Sequence, residues 1–201
     1  MSNSIFTSSL ITEQIKASID VKQKLLNDTG LLIQILGLAS ACRNSLQAGG
    51  KIIFAGNGGS FADSQHLAAE FTSRFRFERE PLAAMALGTN SSAMSAIAND
   101  YGFENVFCRE LAGIAKKIDV FIPISTSGNS QNIVNAIDQA KQMNLHTVAL
   151  TGRAGGEIHK LCESLRIPSD DTARIQECHI LVGHIVCELV EESLFNKMLG
   201  K

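Results

Sequence analysis

The stretch Lys51-Ile52-Ile53-Phe54-Ala55-Gly56-Asn57-Gly58-Gly59-Ser60-Phe61 decides the fold. Lys51–Ala55 is a short apolar run without polar alternation, as in a strand buried on both faces. It ends in three glycines within four residues, and a helical pattern, Phe61–Phe75, follows. Strand, glycine turn and helix in that order form one unit of a parallel α/β protein.

The unit recurs outward. Further apolar runs lie at Ala83–Leu87, Val120–Ile124, Thr147–Leu150 and Leu165–Ile167, with helical spacing between them, for example at Asn129–Met143. This predicts an α/β three-layer sandwich with a doubly wound parallel sheet of about five strands. Residues 8–49 read as two helices. Ile11, Ile15, Ile19 and Leu26 recur at helical spacing, and Asn27-Asp28-Thr29-Gly30 breaks the run. Leu31, Leu32, Ile35, Leu36, Leu38 and Ala39 resume it as far as Gly49-Gly50. The first helix is expected to be polar on its outer face and to cover a partner subunit. Thr172–Leu199 reads as a long amphipathic C-terminal helix. No linker or repeat interrupts the chain, so 1–201 is expected to be one domain with 8–49 as a helical extension.

Composition narrows the function. The chain has 201 residues, 45% hydrophobic and 19% charged, which excludes disorder as a description of the whole. At ~150 residues per domain this is one domain, able to bury roughly 70% of its unfolded surface. The net charge of −2 offers no positive excess to a phosphate backbone, and Trp is absent. A general nucleic-acid partner is therefore not expected. Cys42, Cys108, Cys162, Cys178 and Cys187 are odd in number and contain no Cys-x-x-Cys pair, which fits reduced thiols. Met1–Phe6 has no basic segment leading into an apolar run, and Leu31–Ala39 is far short of the ~20 residues that span a bilayer. The expectation is a cytoplasmic protein with no membrane partner.

Two strand ends carry loops suited to an anion. Gly56-Asn57-Gly58-Gly59-Ser60 exposes backbone N–H groups at a helix N-terminus, where the dipole favours negative charge. It has neither the Walker A nor the dinucleotide spacing, and it also reads as a plain βα turn with Ser60 as N-cap. Ser125-Thr126-Ser127-Gly128-Asn129-Ser130 places four hydroxyls in six residues before another helix. Such a cradle, without Arg or Lys, suits a small sugar phosphate. A generic Ser-rich turn is the alternative. Both loops fall at carboxyl ends of parallel strands, where open α/β sheets place their ligands.

These two loops, with Ala98-Asn99-Asp100-Tyr101-Gly102-Phe103 and Arg174-Ile175-Gln176-Glu177, resemble the sugar isomerase (SIS) domain, in its phosphoheptose isomerase branch. The resemblance covers nearly the whole chain. It implies an aldose–ketose isomerase that interconverts D-sedoheptulose 7-phosphate and D-glycero-D-manno-heptose 7-phosphate, for lipopolysaccharide or capsule synthesis. It implies a homotetramer with active sites between subunits and one zinc ion per subunit. Carried over residue by residue, the substrate contacts are Asn57, Gly58, Gly59, Glu70, Asn99, Asp100, Ser125, Thr126, Ser127, Ser130 and Gln176. The metal ligands are His66, Glu70, Gln176 and His184. One position departs from the family pattern: Ala173 stands where members often have an Asp.

Read without the family, His66 and Glu70 are i,i+4 and share one helix face, which suits two metal ligands or an exposed pair. Gln176 and His184 are eight residues apart, about 12 Å along a helix, and Gln176 leans away from His184. One ion could take both from a single chain only with stretched side chains, unless a neighbouring subunit contributes. His179 reads as a packing residue. For the implied proton transfer, Glu70 is assigned as base and His184 as acid, with zinc polarising the carbonyl. A non-catalytic SIS regulator that binds the replication initiator protein is the competing reading, supported by Ile97–Asp100, Ala173–Glu177 and the tail through Phe195. An SIS isomerase for another sugar phosphate is a third.

Overall fold

The structure, a computed structural model, describes residues 8–195. Two helices, α1 (Ser8–Asn27) and α2 (Thr29–Gln47), lead into β1 (Ile52–Gly56), α3 (Gly59–Thr72) and β2 (Ala84–Ala86). Helix α4 (Ser91–Tyr101), a 3-10 turn at Phe103–Asn105, α5 (Val106–Ile114) and β3 (Val120–Ser125) follow. The chain continues through α6 (Gln131–Gln142), β4 (His146–Thr151), α7 (Ile158–Leu161), β5 (Glu163–Arg166) and α8 (Thr172–Phe195). The break between α1 and α2 falls at Asp28, whose carboxylate accepts from the Leu31 amide and caps α2. The part of the expected last helix beyond Phe195 lies outside the described residues. Among them, no single helix is long and apolar enough to cross a membrane.

The five strands are all parallel, in the order β2-β1-β3-β4-β5. Alternate residues of each strand serve opposite faces. Ile52, Phe54, Val120, Ile122, Val148 and Leu150 meet α2, α3 and α8 in one core. Ile53, Ala55, Phe121 and Ala149 meet α5 and α6 in the other. Both faces are apolar, which explains the unbroken hydrophobic runs. Helix α2 contributes Leu31, Ile35, Leu38 and Cys42 to the first core.

Three local expectations change. Helix α3 ends at Thr72, so Phe75 lies in the irregular segment that follows. The N-cap of α3 is Gly58, with no side-chain cap, so Ser60 is already inside the helix. The outer face of α1 is apolar: Ile11, Ile15, Ile19 and Leu26 are exposed, and the buried residues are Val21 and Leu25.

Candidate active site

In a sheet of order 2-1-3-4-5 the connections leave β1 and β3 in opposite directions, opening a crevice at their carboxyl ends. β1 and β3 are direct neighbours, with Gly56 opposite Ile124. The two anion-type loops therefore emerge side by side. Gly58 has φ 54° and ψ −120°, a backbone state that only glycine adopts readily, and it turns the first loop into α3. Asn57 and Asn132 join the loops by a reciprocal amide pair at 2.8 and 2.9 Å.

In the second loop the Ser125 and Ser130 hydroxyls lie 3.2 Å apart, and the Ser127 hydroxyl accepts from the Asn129 amide. Ser130 is the N-cap of α6 but makes no side-chain cap, so its hydroxyl stays on the loop side with Ser125. The first N–H groups of α6 have no partner within the helix, which suits an anion in front of them. A third loop, after β4, supports this one from behind. A Cβ on Gly128 would fall on the Gly155 carbonyl, and one on Gly156 would meet the Gly128 carbonyl. The Thr126 carbonyl accepts from the Gly152 amide, and the Gly128 carbonyl from the Ile158 amide. Sequence reasoning passed over this buttress, although the Gly155-Gly156 dipeptide is a signal for it.

Helices α3 and α8 lie side by side and parallel, their partners ascending together. Gly59 meets Gln176, Leu67 meets Gly183, and His66 meets His184. At Gly183 the helices approach closely, since a Cβ there would collide with the Leu67 side chain. This approach assembles a group from one chain. His66 Nε2 lies 3.0 Å from His184 Nε2 and 3.1 Å from Glu70 Oε1. Ligand atoms of His66, Glu70 and His184 all fall within 4.8 Å of one another. Two donors ~2.0–2.1 Å from a tetrahedral ion stand about 3.4 Å apart, so two imidazoles and a carboxylate so placed fit zinc. Burial, then the neighbouring His66, hold the His184 pKa below its ordinary value. Its imidazole is therefore neutral near pH 7, the form a metal binds. The Phe75 ring lies 5.5 Å from that of His184.

Gln176 stands apart from this group. Its amide lies against Gly59, seven residues before His66 and about 10 Å away along α3. Gln176 and His184 diverge along α8, as their eight-residue spacing predicts. His184 nevertheless joins His66 within the same chain, while Gln176 serves the first loop. Asn99 and Asp100 pair with each other on the exposed last turn of α4. Beside Ala173 the acid is Asp171, which accepts from the Ala173 amide at the start of α8. His179 is buried, 3.2 Å from the Thr151 carbonyl, and burial lowers its pKa to about 4.

A family model described as the SIS domain matches residues 19–152. The phosphoheptose isomerase of Sulfurimonas denitrificans is 48% identical over 186 residues, covering 92% of this chain and 95% of that protein. That of Clostridium acetobutylicum is 45% identical over 192 residues, covering 95% and 98%. The solved phosphoheptose isomerase from Francisella tularensis superposes with a TM-score of 0.87 at 33% identity, covering 93% of this chain and all of that one. Phosphoheptose isomerase from Neisseria gonorrhoeae gives 0.86 at 39% identity, covering 92% and 98%.

Proposed function

Because the chain belongs to the SIS-domain family, in its phosphoheptose isomerase branch, we propose that it interconverts D-sedoheptulose 7-phosphate and D-glycero-D-manno-heptose 7-phosphate. The observation that carries this reading is a hydroxyl-lined crevice together with the group His66, Glu70 and His184, about 10 Å along α3 from the first loop. The phosphate is received by Ser125, Thr126, Ser127 and Ser130 and the N-terminus of α6. Asn57, Gly58, Gly59 and Gln176 line the sugar side of the crevice. Glu70 removes the proton from C1 of the ketose while His184, in its imidazolium form, protonates the C2 oxygen, giving a 1,2-enediol. Glu70 then returns its proton to C2 while the C1 hydroxyl gives its proton back to His184, which leaves the aldehyde at C1. Oε1 of Glu70 faces His66, leaving Oε2 to carry the proton. Zinc, one per subunit on His66, Glu70 and His184, would supply Lewis-acid polarisation of the carbonyl.

The same reading includes a homotetramer with sites between subunits. The exposed stripe Ile11, Ile15, Ile19 and Leu26 suits burial against another copy, and exposed Asn99 and Asp100 suit a site completed by one. It places the enzyme in the cytoplasm, supplying heptose for lipopolysaccharide or capsule. A coupled assay on sedoheptulose 7-phosphate tests it. Turnover should vanish on chelation and return with zinc. Folded, zinc-loaded protein inert to heptose phosphates would overturn the isomerase in favour of a non-catalytic binding protein.

A further inference from the structure

The segment between α3 and β2, residues 73–83, has no regular structure, yet it holds a buried ion pair. The Arg79 side chain is 1% exposed and that of Glu191, on α8, is 0% exposed, with Nε and Oε1 at 2.7 Å. Isolated charges do not survive burial, and these two are fully engaged. Arg79 Nη2 donates to the Glu70 carbonyl at 2.8 Å, and Nη1 donates to the carbonyls of Phe71, Ser73 and Glu80. Glu70 and Phe71 belong to the last turn of α3, whose carbonyls lack helical partners. The guanidinium thus closes that helix where its dipole is negative. Glu191 accepts from the Phe75 amide at 2.9 Å through Oε1 and from the Arg76 amide at 2.7 Å through Oε2. Those two amides fix the backbone that sets the Phe75 ring on His184. Arg76 lies over that ring and bonds Glu188 on α8.

One ion pair therefore holds the peptide of Glu70 on α3 and the ring that backs His184 on α8. We propose that Arg79 and Glu191 are positioning residues that set the separation of Glu70 and His184. This rests on the isomerase reading for its catalytic consequence and on the His66, Glu70 and His184 metal group alone for its metal-binding one. A carboxylate and an imidazole on different helices share an ion only if the helices hold their register. These helices meet at Gly59 against Gln176 and at Gly183 against Leu67, and the register beyond those contacts needs a hold at the C-terminal end of α3. Arg79 and Glu191 close that end. The phosphate cradle lies on β3 and α6, away from the clamp.

The test compares full-length Glu191→Gln with wild type, at least 20 °C below the thermal midpoint of each. Zinc affinity, read by competition with a chromogenic chelator, should fall about 10- to 100-fold, as when groups that orient ligands are lost. In the coupled assay kcat should fall ~10²-fold, while KM for the sugar phosphate changes less than ~3-fold. Arg79→Lys keeps the charge but not the fork, so it should show the same split and carries the test if Glu191→Gln does not fold. Wild-type zinc affinity in either folded variant would overturn the proposal, as would a rise in KM matching the fall in kcat. The zinc measurement needs no substrate, so its result stands apart from that of the isomerase reading.

Discussion

The two halves of the proposed site are built by different means. The anion half is backbone and hydroxyl: short loops at strand ends, set by glycines and joined by Asn57 and Asn132. The proton-transfer half is side chain: His66 and Glu70 on α3 and His184 on α8, with geometry set by two helices packing in register. A loop at a strand end inherits the precision of the sheet. A pair of side chains on separate helices has no such frame and depends on close approach at Gly183 and closure at Arg79. The first half should govern how tightly substrate is held, the second how fast it reacts.

Substitutions can separate these roles. Glu70→Gln and His184→Asn should each lower kcat by ~10²–10⁴-fold with little change in KM, because each removes a positioned proton carrier. An undiminished kcat in steady-state assays of His184→Asn would break the division. His179 links the halves, since it lies on α8 and bonds the end of β4. Its folded pKa of about 4 lies below the ordinary 6.5, so the unfolded chain binds the proton first as pH falls. The stability it confers is complete above about pH 6.5 and lost towards pH 4, about 3 kcal/mol in all. Urea unfolding across that window should fall less steeply for His179→Gln than for wild type. In the anion half, Ser127→Ala and Ser130→Ala should raise KM with kcat nearly kept, each by ~1–3 kcal/mol of lost hydrogen bonding to a charged group. Unchanged kinetics in both would move the phosphate elsewhere. Asn132→Ala should have the smallest effect, a KM change of a few fold, matching about 1 kcal/mol for the lost inter-loop bond.

Legibility in the sequence follows the same division. Strands, loops and the parallel class were readable because apolar runs, glycines and clustered hydroxyls are local signals. The pair His66 and Glu70 was readable as one helix face. That His184 joins it came from the resemblance alone, because spacing does not show that α3 and α8 run parallel with Gly183 at the contact, a tertiary fact with no local signature. The helix periodicity placed Phe75 in α3, yet the helix stops at Thr72 and Arg79 takes up its last carbonyls. Arg79 itself sits in the charged run Arg74–Glu80, which looks like a solvated surface. Glu191 gave the better signal: although Glu188 and Glu192 flank it, it follows Cys187 by four residues on the buried face of α8.

The amide pair between Asn57 and Asn132 has a consequence for the crevice in solution. Both groups are electrically neutral and neither titrates in the physiological range. A link between opposite charges would weaken as ions screen it. This one holds the two loops at a separation that ionic strength and acidity leave alone. Neither of the two loops carries a charged side chain, so an anion in front of them would be met by dipoles and hydroxyls alone.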